Sequence, residues 1–199
     1  MAEQGQQASD PGGPVLLVST VGYAHGWVPH GLGLIKGYLA RTTELPIETL
    51  SLCVRFSDHV RQAHPALAPY DRQMGEWGSS FHELYFAARY FGHAEPEALL
   101  RAAATDFLQG GDIFRATPWD EPREARPAMV EFHTARIFEL CRLIDEHARG
   151  ELARELARRP ILIGFSVMAQ QLYGSAVLAR ACRQACPEAV IVFGGPAIT

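Results

Sequence analysis

Two strand-helix-strand units, one near each end of the chain, constrain the fold more than any other feature. VLLVST from Val15 and PILIGFS from Pro160 are short continuous apolar runs between breaks. Such runs fit strands buried on both faces. LPIETLSL from Leu45 and AVIVFGG from Ala189 read as the second and fourth strands. Between the first pair lies GLGLIKGYLART, with Leu32, Ile35, Leu39 and the small Gly33 and Gly37 at helical spacings. Between the second pair lies AQQLYGSAVLARACRQACPE, where Leu172, Ala176, Ala179 and Cys182 or Arg183 suit a helix that ends near Pro187. Strand, helix, strand repeated in this order predicts an α/β fold with a parallel sheet and helices on both faces.

About a hundred residues separate the second strand from the third, where one crossover helix would suffice. The excess reads as a helical insertion over about 58–159. It contains the aromatic-rich GEWGSSFHELYFAARYF and a long run from Arg126 to Arg159 broken at Gly150, divided by the loop QGGDIFRATPWDEPREARP. The expected organisation is a disordered leader over 1–14 and one partial α/β domain over 15–199. Its sheet is expected to be an incomplete doubly wound, flavodoxin-like or Rossmann-like layer of about four strands.

Composition removes several function classes. The net charge of −4 is too mild for a nucleic-acid groove. No apolar run approaches the ~20 residues that cross a bilayer, so neither nucleic acid nor membrane is an expected partner. MAEQGQQASDPGGP lacks the basic start and apolar core of a signal peptide, which points to the cytoplasm and to reduced thiols for the four cysteines. Lys36 is the only lysine among the 18 basic residues, and the arginines lie beside acidic residues on helical segments. That pattern describes solvated helix faces rather than an anion site.

In an open parallel sheet, ligands collect beyond the carboxyl ends of the strands. Three loops fall at that edge: Val21 to Pro29, Ser166 to Gln171, and Gly194 to Thr199. Gly194 and Gly195 allow close approach of a ligand or a tight turn. The Ser166 hydroxyl can donate and accept, or cap the strand end. Gln170 and Gln171 stand at the mouth of the third strand, where their amides could meet a ligand or cap the helix.

Together these pieces resemble the cobalamin-binding fold, whose signature is Asp-x-His-x-x-Gly, then Ser-x-Leu, then Gly-Gly. Ser166-Val167-Met168 stands for Ser-x-Leu, and Gly194-Gly195 for Gly-Gly, each after its expected strand. The resemblance implies that Ser166, Gly194 and Gly195 surround the nucleotide tail of cobalamin, with Val167, Met168, Gln170, Gln171, Pro196, Gly22 and Tyr23 as further cofactor-binding candidates. The first motif is incomplete: VPHGLG supplies His30 and Gly33, but Val28 replaces the aspartate that would orient a cobalt-ligating histidine. His25 is a weaker candidate, and no metal ligand is assigned.

More specifically, the chain resembles the cobalamin-binding front of radical S-adenosylmethionine enzymes of the ribosomal peptide maturation family. The likeness rests on PHGLGLIKGYL, on GEW at Gly75 to Trp77, and on GFSVMAQQLYGSAVLARACRQACPEAVIVFGGPA. It implies cobalamin as cofactor and a ribosomally made precursor peptide as partner. S-adenosylmethionine and a [4Fe–4S] cluster would belong to a downstream catalytic domain. Cys182 and Cys186 have the first spacing of a three-cysteine cluster motif, but Ala189 stands where the third would be, and the pair reads as structural thiols. The chain is therefore expected to be a non-catalytic front portion, with its fourth strand as an uncovered apolar edge. Glu76 and Trp77 suit either peptide recognition or a helix start. Two alternatives stand beside this reading: a stand-alone precursor-peptide-binding protein using Trp77 to Phe91, and a small nucleotide-binding enzyme, which lacks the Gly-rich loop it would need.

Overall fold

The computed structural model describes residues 12–21, 30–71, 80–109, 126–168 and 170–198. Their elements follow the order β1 (Val15–Ser19), α1 (His30–Thr42), β2 (Ile47–Ser51), α2 (Leu52–Ala63), α3 (Ser80–Tyr90), α4 (Pro96–Gln109), α5 (Arg126–Leu156), β3 (Leu162–Ser166), α6 (Leu172–Ala185) and β4 (Val190–Gly194). A single 3-10 turn, Pro65–Leu67, follows α2. The four strands form one all-parallel sheet in the order β2-β1-β3-β4. The fold is α/β, an incomplete Rossmann-like layer, as the alternation of elements predicts.

Strand alternation divides the core in two, because successive side chains point to opposite faces. Leu16, Val18, Leu50, Ile163 and Phe165 face a thick helical layer, where they join Phe56, Phe86, Leu100, Ile137, Leu140 and Leu178 in one continuous core. Val15 and Leu17 face the other way and meet Leu32 of α1, with Leu39, Leu45, Ile47 and Leu162 half-buried around them. Leu34, Ile35 and Tyr38 of α1 remain exposed.

Three local features differ from the sequence-based expectation. β2 ends at Ser51, so Leu52, read from the sequence as the last residue of that strand, instead begins α2 with no connecting loop. Leu52, Phe56 and Val60 supply its buried stripe at helical spacing. Helix α5 runs unbroken through Gly150. A glycine there costs about 1 kcal/mol relative to alanine, and burial of Ile144, Ala148, Leu152 and Leu156 on the same helix outweighs it. Helix α6 buries Ala179 and Cys182 at the expected spacing together with Ser175, Val177 and Leu178, but Leu172, named in the same spacing, is exposed.

Candidate functional site

All four strands end on a small residue, and strand pairing aligns those residues. Ser51 pairs with Ser19, Ser19 with Ser166, and Ser166 with Gly194. The row therefore crosses the whole carboxyl edge of the sheet. Each member follows Val15, Leu17 or Ile47, or their β3 and β4 counterparts, at even spacing, so the row lies on the α1 face. Ser19 is buried and Ser166 half-buried. The Ser51 hydroxyl is buried with no hydrogen-bond partner among the described residues. One row deeper, Gly164 lies between Leu17 and Val192. The Leu17 side chain leans to within 3.1 Å of where a Cβ would sit on Gly164.

The two glycines after β4 have different surroundings. Among the described residues, a Cβ on Gly194 would meet nothing within 4 Å. One on Gly195 would sit 2.5 Å from the carbonyl oxygen of Val167, and Gly195 has φ +114°. That backbone geometry excludes larger residues. The Val167 N–H donates to the Gly194 carbonyl at 2.7 Å, and the Ala197 N–H donates to the Val167 carbonyl at 3.3 Å. Gly195 thus lets the β4 loop pack against the β3 loop, whereas no described residue crowds Gly194.

On the opposite face the β1/β3 edge, where the strand order reverses, is filled by the chain's own groups. The Gln171 amide donates to the Thr20 carbonyl at 2.8 Å, and its oxygen accepts the Met168 N–H at 3.0 Å. The Thr20 and Ser175 hydroxyls bond at 3.1 Å. His82 of α3 donates from Nε2 to the Gln170 carbonyl at 2.9 Å. Burial pushes the His82 pKa down to about 4, so the ring is neutral. Its neighbour Glu83 accepts the Tyr173 N–H at 3.0 Å, capping α6 from another helix. Burial raises the Glu83 pKa, opposed by the amides of Tyr173, Leu172 and Gly174. The positive end of α6 therefore already faces a carboxylate.

The sequence-derived candidates fall partly within and partly outside the described residues. Ser166 and Gly194 sit side by side on the α1 face. Val167 is fully buried in the helical-layer core, and Met168 is half-buried in the loop. Gln170 adopts a left-handed backbone, φ 66°, and Gln171 is buried and bonded within the fold. Gly195 and Pro196 are exposed at the β4 turn. Gly22, Tyr23, His25, Val28, Glu76 and Trp77 lie outside the described residues, as does the His30 side chain. Cys182 and Cys186 are buried, the Cys186 thiol lying 3.7 Å from the Leu156 carbonyl. Burial raises the Cys182 pKa to about 12, which keeps a protonated thiol there. Among the described residues no group of three or more His, Cys, Asp or Glu side chains is placed to hold a metal ion. None of their helices is long and apolar enough to cross a membrane.

Sequence reasoning missed Ser19, Ser51 and Gly164. Their signal was present in the strand endings VLLVS, IETLS and LIGFS, which become one row only when the register is known. No family model matches the chain, and neither the curated proteins nor the solved structures include a match to it.

Proposed function

We propose that this chain is the cobalamin-binding-type N-terminal domain of a radical S-adenosylmethionine enzyme that modifies a ribosomally synthesised peptide. The observation that carries the reading is the strip on the α1 face where Ser166 and Gly194 stand side by side and, among the described residues, nothing lies within 4 Å of a Cβ position on Gly194. A slender polar-ended tail needs small residues under it and hydroxyls beside it, and the row from Ser51 to Gly194 offers both. Ser166 and the unpartnered Ser51 hydroxyl would bond such a tail. The helical-layer side, closed by Gln171, Thr20 and Ser175, directs a ligand to the α1 side. Bound cobalamin would supply methyl transfer or radical positioning. Hydrogen abstraction belongs to a radical S-adenosylmethionine core outside the described residues.

Titration of the visible spectrum with hydroxocobalamin tests this reading. Gly194→Val fills open space without touching the fold, and Ser166→Leu replaces the hydroxyl with bulk. Each is expected to weaken binding at least tenfold, about 1.4 kcal/mol, with unchanged unfolding midpoints. Equal affinity in wild type and both variants defeats the site. A second reading, a precursor-peptide-binding protein that carries no vitamin, is favoured by the surface cluster of Tyr90, Phe91 and Tyr173, in which Phe91 is 71% exposed. A colourless protein that raises the anisotropy of a labelled leader peptide would select it.

A further inference from the structure

We infer that the stacked rings of His59 and His147 form an acid-released clasp that holds α2 against α5, and that their protonation lifts α2 from the core. The inference does not depend on which ligand the strip takes.

His59 of α2 and His147 of α5 lie face to face, with ring centroids 4.8 Å apart and planes 23° from parallel. His64, just after α2, stands edge-on to His59 at 5.5 Å, and Phe56 stands edge-on to His147 at 5.6 Å. The His147 Nε2 is buried and has no hydrogen-bond partner among the described residues. A neutral ring with its proton on Nδ1 leaves only a lone pair there. A charged ring puts an N–H in the same place with no acceptor, and a buried donor without a partner is costly. Charging both rings also sets two like charges face to face.

The surrounding carboxylates are already committed to other cations. Glu151 of α5 serves Arg55 from α2 and Arg154 from its own helix. Glu155 lies between Arg55 and Arg158, and Arg158 also meets Glu48. Asp58, next to His59, pairs with Arg61, and Glu146, next to His147, pairs with Arg142. Asp145 serves Arg149 and Arg89. Burial above all, then the His59 ring, with Arg154 and Arg55, holds the His147 pKa below its ordinary value, opposed by Glu151.

Once α2 lifts, His147 meets water and regains its ordinary value near 6.5, so the lifted state binds more protons as pH falls below that point. The clasp is therefore shut above it and weakens below it. Helix α2 follows β2 without a loop, and Leu52, Phe56 and Val60 are its fully buried stripe. Release bares that stripe while β2 stays paired with β1.

Hydrogen exchange of the full chain at about pH 7.5 and about pH 5.5, corrected for intrinsic rates, tests the clasp. On acidification, protection of the Phe56 and Val60 amides should fall at least about tenfold more than that of Ile163 and Phe165 in β3. His147→Phe keeps a ring against His59 without the titrating nitrogen, and should bring the two losses to within about twofold of each other. Long-range nitrogen–proton NMR of the wild type needs no variant: the His147 ring should take up its proton together with the loss of α2 protection. Equal losses in α2 and β3 of the wild type, an α2 loss that His147→Phe retains, or a charged His147 ring beneath a protected α2 would each overturn the proposal.

Discussion

The two faces of the sheet have been built to different standards. The helical-layer face sets α2, α3, α5 and α6 over β1 and β3, and its core includes the fully buried Phe56, Leu100, Ile137, Leu140 and Cys141. Several of its buried polar groups are paired, although the Thr134 hydroxyl and His147 Nε2 have no hydrogen-bond partner among the described residues. Tyr70 bonds His133 at 2.6 Å, and Asp145 meets Arg149 at 2.7 Å and Arg89 at 3.2 Å. Among the described residues the α1 face is covered by one helix, whose buried apolar anchor is Leu32, and leaves Val190 and Val192 exposed beside a row of serines. Close packing is concentrated on one side, and the proposed binding strip lies on the other. A protein core is close-packed and intolerant of intrusion, so a sparsely covered α1 face can keep small residues at its edge without loosening the core on the other side.

The sharpest attempt to break this contrast removes a ring from the helical-layer core. Phe86 is 2% exposed and lies 3.5 Å from the Cβ position of Gly174 on α6. Phe86→Ala should cost about 3–5 kcal/mol in urea unfolding, from lost burial plus a cavity. Gly195→Ala comes next. It forces a Cβ against the Val167 carbonyl at a left-handed backbone position, and roughly 2–4 kcal/mol should be lost. The adjacent Gly194→Val should leave the midpoint almost unmoved, so a matched loss at the two glycines would erase the distinction between turn and strip.

A pH series sharpens the comparison further. His82 is neutral in the fold until about pH 4, whereas the unfolded chain takes up that proton near 6.5. Between those values the unfolded state binds more protons. The contribution is therefore complete above pH 6.5 and declines as pH falls toward 4, by at most about 1.4 kcal/mol per pH unit. His82→Gln should flatten that slope in denaturation measured across the window. The smallest effect belongs to the exposed flank of α1, where Leu34 is 76% exposed. Leu34→Ser should change stability by no more than about 0.5 kcal/mol.

The strands and the helices α1 and α6 were legible because apolar runs and 3.6-residue spacing are local signals. Gly150 misled because its penalty is small and local, while the burial of Ala148 and Leu152 that overrides it depends on tertiary packing. The serine row illustrates a different limit. Ser51, Ser19 and Ser166 are far apart in sequence, and only hydrogen-bond register makes them neighbours. Gln171 was equally ambiguous as a ligand contact or a helix cap. Its amide instead ties the Met168 N–H to the Thr20 carbonyl, a pairing set by a strand 151 residues away. The Glu83 cap on α6 has the same character, since its partner Tyr173 is 90 residues distant.

Adjacent residues on one turn of α3 take hold of the same corner: His82 grips Gln170 before the bend, and Glu83 grips Tyr173 after it. Displacing α3 would release both at once, freeing the left-handed Gln170 and baring the first amides of α6. The corner is thus a latch that the distant helical segment keeps shut, and deuterium uptake at the Tyr173 amide would act as a gauge of how often that segment lifts.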